Sequence, residues 1–579
     1  MASVRAAGSV VLLFVLACQP PNPPPGSPTG ATTAPGYDLV ITGGRLVDGA
    51  GNPWFYGDLA IRGDRIARIT PPGMLANATA TRRLDATGKV VAPGFIDIQA
   101  QSYYQFTVGD GRVVSSTTQG ITTAILGEGG TPAPANDATI AAAGPIDSIS
   151  RKLLEQFRGP RGFNAWLEAM EKHGIAQNVA SFLGAATVRV YAKGELQGPA
   201  SPADLDTMRA VVRNAMEDGA LGIGSALIYP PASYASTAEL VELAKAMAPL
   251  GGVYITHMRS EADRLLEALD EALAIGKQGG VPVEIYHLKA SGIKNWSKMV
   301  QAIAKIDSAR TAGQDVTANM YLYTAGGTAL AACAPPWSAE GGKLLANLQE
   351  PTTRAKIKSE MTQIGAANSE ALCLLSGPGS VQVVGFRQAQ LTKYEGWRLD
   401  AIAKDMAVDW FDAWATMVVA ENGQVGAIFH MMTEANLPQQ IRQPWIKWAT
   451  DADGLNPDSL NGALTHPRAF GNYPRLLGRY VREQRVISLE EAIRKGTSAV
   501  AQRLMIRDRG TLAPGSFADL IIFDPATVID RATFESPGQL SVGMAHVFVN
   551  GTAVVTDGKP TEAKPGRAVR GAGWTGWNR

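Results

Sequence analysis

Apolar and polar residues alternate in short runs near both ends of this chain, while its long middle section alternates apolar runs with stretches of helical spacing. Near the N-terminus Asp38-Leu39-Val40-Ile41, Arg45-Leu46-Val47, Asp58-Leu59-Ala60-Ile61 and Arg65-Ile66-Ala67-Arg68-Ile69 read as strands, with Arg62-Gly63-Asp64 as a hairpin signal. Leu520-Ile521-Ile522-Phe523 and Val547-Phe548-Val549-Asn550-Gly551 have the same character. Short-stranded segments on either side of one long unit predict a small β-sandwich domain built from both termini, over 37–92 and 505–570. Between them, apolar runs centre on Phe95–Ile98, Thr122–Leu126, Val179–Leu183, Ala220–Ser225, Val253–Thr256, Val283–Tyr286, Asp315–Ala318 and Trp445–Thr450. Leu205–Met216, Ala238–Met247, Ala262–Ile275 and Met299–Ala312 carry apolar residues at i, i+3, i+4 spacing. Eight strands separated by helices are the arithmetic of an α/β fold, a (β/α)8 TIM-like barrel, here over 93–504. The gap between the seventh and eighth runs exceeds one helix and contains Pro335-Pro336-Trp337, which predicts an inserted subdomain at about 330–430.

The first residues have another texture. Arg5 precedes the apolar run Val10–Ala17, which has the length of a signal-peptide core and is too short to span a bilayer. Ala17-Cys18 looks like a bacterial lipobox, so the reading is a signal peptide over 1–17, lipidation at Cys18 and a Pro-rich linker over 18–36. The plainer alternative is a secretory signal with an incidental cysteine. On the lipobox reading the protein is held at the bacterial cell envelope, facing the periplasm or the exterior. Cys333 and Cys373 either pair in an oxidising compartment or stay as buried thiols. A formal net charge of +1 argues against a nucleic-acid partner, and 45% hydrophobic with 18% charged residues is ordinary globular composition.

Barrel strands deliver their terminal side chains to the C-terminal mouth. Reading those ends gives Gln99 and Gln101, Glu128, Ser225, His257, His287, Asn319 and Asp451. His257 and His287 are one β/α unit apart, which predicts imidazoles on adjacent strands at equal height. With Glu128 they form a plausible zinc site with an open position, able to acidify water and polarise a carbonyl. An amide oxygen is a poor zinc ligand, so Gln99 and Gln101 read as hydrogen-bonding neighbours, and the pattern favours one ion over two. Asp451, in Thr450-Asp451-Ala452-Asp453-Gly454, is placed to move a proton between water and a leaving nitrogen. Lys289, Arg468, Tyr229 and Tyr321 are candidates to hold a substrate carboxylate.

Several stretches in order resemble the D-aminoacylase (N-acyl-D-amino-acid deacylase) family of amidohydrolases. They include Pro93-Gly94-Phe95-Ile96-Asp97, Gln119-Gly120-Ile121-Thr122-Thr123, Thr256-His257-Met258-Arg259-Ser260-Glu261, His287-Leu288-Lys289, Phe429-His430-Met431-Met432 and His466-Pro467-Arg468. The resemblance implies a metal-dependent hydrolase that cleaves N-acyl D-amino acids to a carboxylate and a free D-amino acid. His257 and His287 match the histidines of the family's tighter metal site, and Asp451 its catalytic aspartate. Lys289, Tyr229, Tyr321 and Arg468 match the positions that hold the substrate carboxylate. The family's cysteine ligand falls at Glu128 in one register and at Gly129 in the other. Gln99 and Gln101 stand where the family has His-X-His, and Asn319 where an Asp is common, which spares the tighter site and removes most of the second. Two other readings stand beside this one: an amidohydrolase for another small amide, such as a cyclic amide or D-dipeptide, and a non-catalytic surface binding protein derived from the barrel.

Overall fold

A computed structural model describes residues 36–144, 146–363 and 370–578, so the signal-like run, Cys18 and nearly all of the Pro-rich linker lie outside the described residues. The alternating N-terminal segment forms β1 (Tyr37–Leu46), β2 (Phe55–Arg62), β3 (Arg65–Thr70), β4 (Ala80–Asp85) and β5 (Val90–Pro93). A register shift between Ile41 and Gly44 divides β1. Its first half takes β4 as a parallel neighbour and its end takes β5.

Eight parallel barrel strands follow. They are β6 (Phe95–Asp97), β7 (Ile121–Leu126), a third strand in two pieces, β8 (Asn178–Ser181) and β9 (Leu183–Gly184), then β10 (Gly222–Ala226), β11 (Val253–His257), β12 (Val283–Ile285) and β13 (Val316–Met320). The eighth comes only after the insertion. Val179–Leu183 is interrupted at Phe182: β8 pairs with β7 and β9 with β10, so the one strand still joins both neighbours. Most barrel strands are buried along their whole length, which is why they read as apolar runs rather than as alternating patterns. The amphipathic stretches become Pro202–Glu217, Thr237–Met247, Leu265–Gly279 and Lys298–Thr311. Ser201 caps the first of these in a reciprocal pair with Asp204, and Pro202 occupies the first turn, where no amide hydrogen is needed. The third begins three residues later than its periodicity suggests. Residues 258–264 stay irregular, which sends Glu261 inward.

The insertion carries β14 (Gly326–Ala329), β15 (Val381–Val384) and β16 (Gly426–Phe429), an antiparallel sheet in the order β14-β16-β15. Helices Pro351–Thr362, Leu399–Asp405 and Trp410–Ala420 complete it around its own core, which includes Leu330, Phe411, Trp414 and Phe429. A disulfide joins Cys333 to Cys373, so the open choice between paired and free thiols resolves to a pair.

The eighth barrel strand is β17 (Ile446–Trp448), beside β13. The barrel closes where the Asp451 amide donates to the Gln99 carbonyl at 2.8 Å and the Gln101 amide to the Ala452 carbonyl at 3.0 Å. The chain then adds β18 (Leu520–Phe523), β19 (Met544–Val549), β20 (Thr552–Thr556) and β21 (Lys559–Pro560) to the N-terminal strands, in the order β21-β20-β19-β18-β5-β1-β2-β3. Leu39, Ile61 and Ile66 share one core with Leu520, Ile522 and Phe548, so the sheet is folded over on itself. Past Pro560 the chain leaves the sheet and crosses the barrel's N-terminal end, where Gly566, Val569 and Gly571 donate to the carbonyls of Ile175, Val179 and Gly219.

Candidate metal centre

Gly127 and Gly129 both have positive φ, and they turn the chain after β7 so that Glu128 enters the barrel mouth. Each position is closed to a side chain. A Cβ on Gly127 would lie 2.3 Å from the Phe182 carbonyl oxygen, and one on Gly129 would lie 2.8 Å from the Ala226 Cβ. Of the two positions weighed above, Glu128 brings a carboxylate into the mouth, whereas Gly129 has no side chain to offer.

Glu128 Oε1 lies 3.1 Å from His257 Nδ1 and 3.1 Å from His287 Nε2. The two rings meet edge to face with centroids 4.4 Å apart. They are not level. β11 and β12 pair Thr256 with Ile285, which sets His287 one residue beyond His257, and a φ of 30° at His287 turns its ring back into the site. A positive φ is uncommon outside glycine and persists where the surroundings over-determine it. Here the Asn319 side-chain oxygen accepts the His287 amide at 2.8 Å. Asn319 therefore holds the backbone of His287 from below. Ser225, read above as facing the mouth, turns away and bonds the hydroxyls of Tyr254 and Thr256.

Both glutamines face Glu128. Nε2 of Gln99 and of Gln101 donate to Glu128 Oε2 at 2.6 and 2.5 Å, and Gln101 Nε2 also lies 3.3 Å from Asp451 Oδ1. The amides thus occupy one carboxylate oxygen and leave the other to the imidazoles. Burial would push the Glu128 carboxyl up, but His257 and His287 hold it well below the usual range. Beneath them Asp97 accepts from the Thr450 amide at 2.9 Å and from its hydroxyl, pinning the end of β17 to β6. Burial raises Asp97 to about 7.

One carboxylate escaped the reading of strand ends. Glu261 is buried four residues after His257, on the irregular stretch, with Lys289 Nζ at 2.6 Å, His287 Nδ1 at 3.0 Å and His257 Nε2 at 3.5 Å. Burial alone would raise its pKa, but Lys289 and the histidines drive it far below the ordinary value. The motif Thr256–Glu261 contains the signal: a carboxylate at i+4 from a strand-end histidine.

On the other side of the mouth Asp451 has a φ of 50°. Burial pushes its pKa up, against the pull of Arg468. Arg468 Nη1 is 2.8 Å from Asp451 Oδ2 but off the line of a hydrogen bond, so that Nε and Nη1 are buried without hydrogen-bond partners. The guanidinium sits over the Tyr321 ring at 4.4 Å. His466 supports it, accepting the Arg468 amide on Nδ1 at 3.1 Å while Nε2 faces the Ala325 carbonyl at 2.8 Å. Tyr229 packs edge-on against His257. Lys289, Tyr229, Tyr321, Arg468 and Asp451 line one cavity of about 460 Å³ together with Gln101, Glu128 and both histidines. Gln99 and Asn319 stand behind that wall.

The donor set suits a divalent cation. One ligand atom from each of Glu128, His257 and His287 lies within 4.8 Å of the others. Neighbouring ligand atoms of a tetrahedral zinc are roughly 3.3 Å apart for bonds of about 2.0–2.1 Å, close to the nitrogen–oxygen separations here. With protons on the nitrogens that face Glu261, lone pairs on His257 Nδ1 and His287 Nε2 converge with Glu128 Oε1.

The amidohydrolase family model matches residues 410–555. D-aminoacylase of Alcaligenes xylosoxydans xylosoxydans is 32% identical over 92% of this chain and 97% of its own length. N-acyl-D-glutamate deacylase of the same organism is 33% identical over 92% and 96%. Among solved structures, N-acyl-D-glutamate deacylase of Bordetella bronchiseptica, complexed with zinc and a phosphonate mimic of the tetrahedral intermediate, has a TM-score of 0.75 at 31% identity, covering 93% of this chain and 100% of that one.

Proposed function

We propose, for a chain that belongs to the D-aminoacylase family of amidohydrolases, that it is a zinc-dependent hydrolase removing the acyl group from N-acyl D-amino acids. The observation that carries this reading is the convergence of Glu128, His257 and His287 in the same cavity as Asp451 and Arg468.

Glu128, His257 and His287 would hold the ion, which supplies Lewis acidity toward the scissile carbonyl and lowers the pKa of water. Asp451 takes a proton from the attacking water and delivers it to the leaving nitrogen. Its burial favours the first half of that exchange, since a carboxylate with a raised pKa is the stronger base toward water. Arg468, ion-paired to Asp451 but with no hydrogen bond on Nε or Nη1, offers its guanidinium to the substrate carboxylate. Lys289, Tyr229 and Tyr321 orient that group from the remaining sides. Gln99 and Gln101 act through Glu128: they supply hydrogen bonds where imidazoles would be needed for a second ion, which supports a single-ion centre.

The enzyme is read as a lipoprotein of the bacterial cell envelope, with a signal peptide over 1–17, lipid on Cys18 and a Pro-rich tether. Supporting this are the apolar run before Cys18 and the Cys333–Cys373 disulfide, a bond that persists in oxidising compartments. No helix among the described residues is long and apolar enough to cross a membrane, so the N-terminal lipid would be the attachment. The functional reading is tested by measuring bound metal and assaying N-acetyl D- and L-amino acids before and after chelation. About one zinc per chain, D-selective hydrolysis and loss of activity on stripping are expected. Full activity in metal-free protein would overturn the assignment.

A further inference from the structure

β6 ends at Asp97, yet its chain stays beside β7 a little longer, since the Ala100 amide donates to the Ile125 carbonyl at 2.8 Å. In a parallel ladder the next donor on that edge is the amide two residues on, that of Gly127. The neighbouring chain has turned away by then: the Tyr103 amide folds back to the Gln101 carbonyl at 2.8 Å. A side chain takes the place of the strand. The Gly127 amide donates to the Tyr103 hydroxyl oxygen at 2.7 Å.

Gly127 opens the turn that carries Glu128 into the mouth, and with a φ of 110° it has no side chain of its own to fix that turn. The phenol is itself well held. Its ring lies parallel to that of Trp166, with 7° between the planes and centroids 6.1 Å apart, and Trp166 is fully buried on the helix Gly162–His173. Burial pushes the Tyr103 hydroxyl pKa up, and the nearby Glu128 charge adds to this, so the phenol stays neutral. The same segment grips Glu128 at its side chain, since Gln99 and Gln101 donate to Oε2. Between them and Tyr103, the Ser102 hydroxyl accepts the Gly454 amide at 2.8 Å, which ties the segment to the stretch that carries Asp451. Side chain and backbone around Glu128 are thus fixed from one neighbouring strand end.

We infer that Tyr103 is a positioning residue of the metal centre: its hydroxyl holds the Gly127 peptide, and through it the Glu128 carboxylate, where a cation needs its third ligand. The inference rests on the deacylase reading above and its single ion. Without the hydroxyl the Gly127 N–H is a donor without its acceptor, and the turn relaxes to find one. An ion bound by a looser carboxylate is held less tightly.

The test measures zinc affinity by competition with a chromophoric chelator for the parent, Tyr103→Phe, Tyr104→Phe, Glu128→Ala and the Tyr103→Phe/Glu128→Ala pair. The thermal midpoint of each metal-free protein is read alongside. Tyr103→Phe is expected to weaken zinc binding by ~10-fold or more, and saturating zinc to restore most of kcat. The same replacement at Tyr104, whose ring is exposed, should change affinity by less than ~2-fold. In the Glu128→Ala background Tyr103→Phe should cost little further affinity, because the residue acts through Glu128. A purely structural role would lower the metal-free midpoint and leave zinc affinity within ~2-fold of the parent. That result, or an equal loss of affinity with and without Glu128, would overturn this inference and leave the deacylase reading standing. A parent protein that binds no zinc would overturn both.

Discussion

Glu261 faces the two imidazoles from the side opposite Glu128, and its role follows from hydrogen-bond chemistry. A neutral imidazole has one N–H and one lone pair, and a carboxylate that accepts the N–H fixes the lone pair on the other nitrogen. Glu261 lies 3.0 Å from His287 Nδ1, which the Lys289 ammonium also approaches at 3.0 Å, and 3.5 Å from His257 Nε2, which makes no hydrogen bond. A proton drawn to those nitrogens by the Glu261 charge would leave the opposite lone pairs toward Glu128. Glu261→Gln is therefore expected to weaken zinc binding by ~10–100-fold, read by competition with a chromophoric chelator, with the circular dichroism spectrum retained. Unchanged affinity would show that the rings are oriented without it. Gln99 and Gln101 make the complementary case. Their amides hydrogen-bond one oxygen of Glu128, so replacing both by imidazoles supplies metal-ligand nitrogens at the same strand end. Gln99→His/Gln101→His should raise zinc content after dialysis from about one to about two per chain, and a content that stays at one would show that ligand identity alone does not limit the count.

At the scale of elements, the irregular pieces do the positioning. The stretch between β11 and the helix Leu265–Gly279 brings Glu261 inward, and the turn after β7 brings in Glu128. The insertion is the largest such piece. It sets Leu372, Phe429 and Met431 against the cavity and is clasped by a disulfide between residues 40 apart. In the chain-entropy account, closing a loop of that length stabilises the folded state by roughly 4 kcal/mol. Reductant, or Cys333→Ser with Cys373→Ser, is expected to lower the thermal unfolding midpoint and to loosen the wall formed by Leu372, Phe429 and Met431, raising KM more than it lowers kcat. An unchanged midpoint and KM would show that the insertion's own core is sufficient.

At the scale of the whole molecule, the chain's two ends meet in one folded sheet beside the barrel, and its last residues run across the barrel's N-terminal end, leaving the C-terminal mouth to the insertion. Much of this was legible in the residues. Fully buried parallel strands must be apolar throughout, and a two-residue period must mark strands with unlike faces, so the barrel and the terminal strands were written in the pattern. Strand ends in a barrel converge, so His257, His287 and Asp451 could be named from position alone. Glu261 could not, because no period governs a side chain on an irregular segment. Nor could the turn that carries Glu128 into the mouth, which depends on two glycines with positive φ and on the nearness of Phe182 and Ala226, residues distant in sequence. The pairing of the two cysteines belongs to the same class. What local periodicity and residue chemistry impose is carried by the sequence itself; which charges meet and which are left without a hydrogen bond depend on distances between remote segments, and only packing in three dimensions sets those.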